Sequence, residues 1–216
     1  MTVAGDTVTL DQLVEWLHRF RTLVVENQQY LTELDSAIGD ADHGSNMARG
    51  MNAVAEKLET PEAVDSLFKT VGMTLVSSVG GASGPLYGTF FLRIGTTAGT
   101  VTELDAGALS AARRAGLAGV VARGKAEPGD KTMLDAMLPA LDALDASIAA
   151  GADLADASAA AFTAAQAGRD DTEDLVARKG RASYLGERSA GHLDPGATST
   201  VYLFQALAGA LGGLPE

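Results

Sequence analysis

The stretch LTELDSAIGDADHGSNMARG, residues 31–50, decides how this chain folds. Leading into it, Leu10, Leu13, Val14, Leu17, Phe20, Val24 and Leu31 recur at helical spacing, and Thr9 with Gln12 has the capping-box pattern. The spacing predicts a first helix over about residues 10–34. Gly39 and Gly44 then open a turn, and Ser45 fits the cap of a second helix over about residues 46–58. At the junction sit Asp35, Asp40, Asp42 and His43. Like charges this close repel, and the chain already carries a formal charge of −12. The turn therefore costs free energy unless a cation neutralises it.

Working outward, Thr60 and Pro61 open a third helix bearing Val64, Leu67, Phe68, Val71 and Leu75, which ends at GGASG, 80–84. A fourth covers Pro85 to about Ala98, and a fifth about 103–122, capped by Thr102. ARGKAEPGDKT, 122–132, is a polar loop, after which Thr132 with Asp135 opens a sixth helix to about 149. A seventh covers about 152–178, with Gly168 as a kink point. KGRASYLGERSAGHLDPG, 179–196, is a long loop, and Asp194 with Pro195 starts an eighth helix to about 211. The expectation is an all-α single domain over residues 1–216, with eight helices, no strand, no repeat and no linker. The polar loops follow helices 1, 3, 5 and 7. In an up-and-down bundle alternate connections share an end, so all four loops should meet at one rim.

Composition narrows the chemistry. Apolar residues make up 46% of the chain, enough for a sizeable core, and aromatics only 5%, which with abundant alanine favours helix. The absence of cysteine excludes disulfides, thiolate zinc sites and cysteine nucleophiles. No charge-free apolar run approaches the roughly 18 residues of a membrane span. The N-terminus has no basic start before an apolar core, so no signal peptide is expected. A soluble cytoplasmic protein is the expectation. The acidic balance argues against nucleic acid as a partner. Arg178, Lys179, Arg181 and Arg188 cluster near the C-terminal third and read from charge alone as a solvated helix end.

One aspartate in a turn usually caps a helix. Three flanked by glycines favour a hard cation such as Mg²⁺ or Ca²⁺. An EF-hand loop starting at Asp40 would put Ser45 at the glycine position and Met51 at the closing glutamate, so the cage fails. Three acids without a full cage suit Mg²⁺ shared with substrate phosphates. SVGGASGPLYG, 78–88, places small residues before a helix N-terminus, where amides and the helix dipole favour an anion, although the P-loop lysine is missing. Arg181 suits phosphate or a base, Met133 could pack on a base or in the core, and His43 could serve a phosphate or the turn. His18 reads as structural or surface, and His192 as either. No Ser/His/Asp triad or zinc-spaced histidine pair is present.

Four segments in order, LDSAIGDADHGSNM, GGASGPLYGTFF, GDKTMLDA and GRASYLGERSAGHLDPGATS, resemble the nucleotide-binding, DhaL-type subunit of dihydroxyacetone kinase over residues 34–199. The resemblance implies an antiparallel eight-helix barrel with the nucleotide at one rim. It implies that Asp35, Asp40 and Asp42 hold two Mg²⁺ ions bridging the phosphates of ADP or ATP. It places His43, Gly44, Ser45 and Asn46 along those phosphates, and Ala82 and Ser83 in a second phosphate loop. Gly124, Met133 and Arg181 match positions around the rest of the nucleotide, and Asp194, Pro195 and Gly196 the closing loop.

The implied reaction is phosphoryl transfer to dihydroxyacetone held on a partner subunit. In one branch of the family a phosphohistidine-carrying phosphotransferase subunit recharges resident ADP, and the freestanding length suggests that branch. An ATP-exchanging kinase subunit for another small sugar or polyol is the nearest alternative. A non-catalytic helical Ca²⁺-binding or scaffold protein is the alternative from another class. A homodimer stays open.

Overall fold

A computed structural model describes residues 7–58 and 61–214. Among them the chain is almost entirely helical. The elements are β1 (Thr7–Thr9), α1 (Leu10–Glu26), α2 (Gln28–Ile38), α3 (His43–Ala55), α4 (Val64–Ser78) and α5 (Ser83–Ala98). They continue with β2 (Glu103–Asp105), α6 (Ala106–Gly124), α7 (Met133–Ala149), α8 (Leu154–Asp171), a 3-10 segment (Arg181–Ser189) and α9 (Pro195–Ala210).

Several starts follow from local chemistry. Thr9 and Gln12 form the expected capping box at α1, and Thr132 with Asp135 does the same at α7. Asp194 caps α9 by accepting from the Ala197 N–H at 2.7 Å, with Pro195 in the first turn.

Other boundaries differ from expectation. The first helix breaks at Asn27, whose side-chain amide donates to the Leu23 carbonyl at 2.8 Å. That bond competes with the helix while the apolar spacing continues through it, which hides the break from a periodicity argument. The second half runs on to Ile38, so Asp35 sits on the last turn of α2. The next helix starts at His43 with Asp42 as its N-cap. Ser45 lies inside α3, its hydroxyl donating to the Asp42 carbonyl at 3.0 Å. Thr60 lies outside the described residues, and α4 begins at Val64.

The cap of α6 is Asp105, not Thr102. Glu103–Asp105 is instead a strand paired antiparallel with Thr7–Thr9, Val8 facing Leu104. Both of those residues are buried. Three-residue strands carry too little alternation to be seen in sequence. Helix α8 ends at Asp171, well short of 178, and runs unbroken through Gly168. A Cβ there would meet the Asp135 carbonyl and Pro139, so the glycine permits close packing on α7.

The core runs the length of the bundle. Trp16, Phe68, Phe90 and Phe91 pack as edge-on, tilted and stacked rings with centroids 5.4–6.0 Å apart, and the Trp16 indole N–H donates to the Leu203 carbonyl at 2.8 Å. Neighbouring helices pack α1 on α3, α3 on α4, α4 on α5, α5 on α6, α6 on α7, α7 on α8, α8 on α9 and α9 on α1, with α2 against α3 and α9. No described helix is long and apolar enough to cross a membrane.

Candidate functional site

The connections after α2, α4, α6 and α8 do converge. Together they line a cavity of about 650 Å³ at one end of the bundle. The break at Asn27 adds a helix but no polar loop, so the alternation of ends survives the changed helix count.

The acidic turn forms one wall. One carboxylate oxygen from each of Asp35, Asp40 and Asp42 lies within 4.8 Å of the others. Asp35 Oδ2 accepts from the Asp42 and His43 N–H groups at 2.8 and 3.1 Å, which folds the turn back over the end of α2. Ala41, between the other two acids, has φ 61, a left-handed conformation that strains a residue with a Cβ. Gly39 leaves room for the Asp35 carboxylate, which an added Cβ would overlap. An all-carboxylate set at this spacing fits a hard divalent cation.

His43 lies beside this wall, buried. Its Nδ1 is 3.1 Å from Ser83 Oγ and its Nε2 3.0 Å from Ser199 Oγ. Ser199 Oγ in turn is 2.8 Å from the Tyr87 hydroxyl, which is also 3.0 Å from Thr200 Oγ1. A continuous polar chain thus leads from the small-residue loop through His43 into the bundle. Burial lowers the His43 pKa to about 4, against the opposing pull of Asp35 and Asp42, so the ring is neutral. Burial likewise raises Tyr87 to about 12.

The small-residue loop makes the second wall. Asn46 lies under Gly80, and Arg49 ties Asn46 to the end of α4, donating to Asn46 Oδ1 at 2.6 Å and to the Ser78 carbonyl at 2.9 Å. Ala82 and Ser83 line the cavity, as do Gly124 and Met133 beside the apolar side chains of Leu86 and Val120. Asp194, Pro195 and Gly196 line its floor, and Asp194 is pushed up to about 7 by burial. Arg181 reaches back from the 3-10 segment to place its Nε 3.0 Å from Asp40 Oδ2.

Of the residues expected around a phosphate, Gly44 and Ser45 do not line the cavity. A Cβ on Gly44 would strike the Gln28 carbonyl and Thr32, so that glycine lets α3 approach α2. Ser45 is exposed, on a separate outer groove. His18 is exposed. Arg178, Lys179, Arg181 and Arg188 are all exposed on the segment between α8 and α9, Arg181 and Arg188 at the two ends of its 3-10 turn; of the four, Lys179 and Arg181 line the cavity. Tyr87, Ser199, Arg49 and Lys131 were not anticipated as part of the site. Their signal is geometric, since each acts on a residue distant in sequence.

The sequence profile of the DAK2 domain matches residues 37–209. The chain is 48% identical over 199 residues to the PEP-dependent dihydroxyacetone kinase, ADP-binding subunit DhaL, of Escherichia coli K12, covering 91% of this chain and 95% of that protein. It is 34% identical over 209 residues to the triokinase/FMN cyclase of Rattus norvegicus, covering 95% of this chain but 36% of that one. Among solved structures, it is similar to the dihydroxyacetone kinase of C. freundii in complex with AMP-PNP and Mg²⁺. The TM-score is 0.71 and the identity 30%, over 91% of this chain and 33% of that one.

Proposed function

The chain belongs to the DAK2-domain family, and from that premise we propose that it is the ADP-binding subunit of a PEP-dependent dihydroxyacetone kinase. The observation that carries the reading is the convergence of Asp35, Asp40 and Asp42 on the wall of a cavity lined by four loops. The near full-length likeness to freestanding ADP-binding subunits favours resident ADP over exchanging ATP.

Asp35, Asp40 and Asp42 would hold two Mg²⁺ ions, which would supply positive charge against the polyphosphate. Ser83, Asn46 and the backbone of residues 80–83 border the phosphates, with His43 held neutral as a hydrogen-bonding partner for Ser83. Gly124, Met133, Leu86 and Val120 offer an apolar lining for the base. Arg181 balances Asp40 and presents positive charge at the mouth, where the transferred group must emerge. Asp194, Pro195 and Gly196 close the floor. Gly44 and Ser45 would contribute through first-turn amides of α3 rather than side chains. The acceptor sugar would be held by a dihydroxyacetone-binding partner, and a phosphohistidine-carrying subunit would restore the phosphate.

The circuit of helix contacts from α1 through α3 to α9 and back supports an eight-helix barrel with α2 laid on its outside. The profile match across residues 37–209 supports one domain.

Protein purified without added nucleotide, denatured and run on anion exchange should release about one ADP per chain. Asp40→Ala should release none while keeping the helical circular dichroism. Retained ADP in that variant removes the metal assignment, and a wild type without affinity for ADP or ATP in Mg²⁺ removes the reading.

A further inference from the structure

Lys131 is buried to 1% exposure at the cavity edge and has φ 63, a left-handed conformation unusual for a side chain of its size. Its ammonium donates to backbone carbonyls: Thr172 at 2.7 Å, Leu175 at 3.0 Å and His192 at 2.5 Å, with Glu173 at 3.3 Å. Thr172, Glu173 and Leu175 lie where the chain leaves α8, and His192 where it returns to α9. One side chain therefore pins both legs of the strap 172–194. The strap carries Arg181 to Asp40 and ends at Asp194. Three backbone-linked bonds add to the same joint: the Arg178 N–H donates to the Asp130 carbonyl at 3.1 Å, the Gly191 N–H to the Glu173 carbonyl at 2.8 Å, and the Asp194 N–H to Thr172 Oγ1 at 3.0 Å.

An ammonium has three protons, and these carbonyls use all of them. Lys131 is thereby occupied by the strap rather than by an anion in the cavity. A buried cation facing a cluster of carbonyl dipoles at a helix C-terminus is a strong local anchor. The Thr172 and Glu173 carbonyls also accept from the Leu175 and Gly191 N–H groups, so its loss falls hardest on the Leu175 and His192 carbonyls. We propose that Lys131 is a positioning residue that closes the base of the 172–194 strap and so governs how slowly a bound nucleoside diphosphate leaves. The proposal rests on the nucleotide reading above.

The test follows release of N-methylanthraniloyl-ADP in Mg²⁺ together with amide hydrogen exchange. In Lys131→Met the probe should leave about tenfold faster, the loss of one charge-assisted anchor. Amides of 172–194 should exchange faster, with those of α4 and α5 unchanged. Because the chain has no cysteine, Lys131→Cys can be alkylated at that site alone, in denaturant, and refolded. Bromoethylamine rebuilds an ammonium of lysine's length and should restore slow release; iodoacetamide gives a neutral adduct and should not. The same pair decides the matter if Lys131→Met fails to fold.

Wild-type release from Lys131→Met, or equal rescue by the two reagents, overturns the role of Lys131 and leaves the nucleotide reading intact. A wild type that binds no probe overturns both.

Discussion

At the scale of single residues, two buried titratable groups at the cavity wall pull against each other. His43 falls from 6.5 to about 4 through burial, opposed by Asp35 and Asp42. Asp194 rises from 3.8 to about 7 through burial, with Asp135 adding to the rise and the Ala197 N–H and Lys131 opposing it. In the metal-free protein between about pH 4 and 6.5, the unfolded chain protonates its histidine while folded His43 stays neutral. Stability from His43 is therefore lost as pH falls. In the same window folded Asp194 keeps a proton that the unfolded chain has released, so stability from Asp194 is lost as pH rises. Urea midpoints in EDTA should show this opposition. Relative to wild type, Asp194→Asn should weaken as pH falls through the window, and His43→Gln should weaken as pH rises. Profiles parallel to wild type in both variants would contradict the burial argument. The three aspartates were legible in the sequence because their crowding has a visible electrostatic cost. Tyr87, Ser199 and Lys131 were not, because what each does depends on a partner 40 or more residues away in the chain.

At the scale of elements, glycines set the spacing of helices and, through it, the shape of the phosphate loop. A Cβ on Gly72 would lie 2.5 Å from Leu92 Cγ and 2.8 Å from the Gly88 carbonyl, in the α4–α5 contact. A Cβ on Gly84 would press on the Val79 carbonyl at the root of the small-residue loop. Either substitution with alanine should lower stability by about 1–3 kcal/mol, the usual cost of overpacking. Only Gly84→Ala should also weaken ADP binding, because relief there must move residues 79–83. Urea denaturation and titration calorimetry on both variants separate the two effects; equal affinity in both would show that the loop does not depend on Gly84. Helices α5, α7 and α9 were legible because a cap, a proline or a glycine marks each start. The break at Asn27 was hidden under an unbroken apolar stripe, and the β1–β2 pair, which ties the start of α1 to the chain entering α6, exists only as a long-range pairing.

At the scale of the whole molecule, a chain of net charge −12 keeps an acidic wall at its ligand site. Ligand and cation together should therefore stabilise it strongly. Saturation with ADP and Mg²⁺ at about 100 times the dissociation constant adds about 2.7 kcal/mol. For a chain of this size that raises Tm by roughly 5–10 °C. Differential scanning fluorimetry should show the rise with both present and its loss when EDTA is added with ADP. An equal rise with ADP and EDTA would place the nucleotide elsewhere.

By itself the sequence determined the helical class, the acidic turn, and the meeting of four polar loops at one end, because periodicity, caps and the alternation of helix ends are local or topological properties. Only the tertiary structure decided which small residues face the cavity and which merely let helices touch, and that one lysine holds both legs of the strap. Those outcomes depend on distances between segments far apart along the chain, and packing sets those distances.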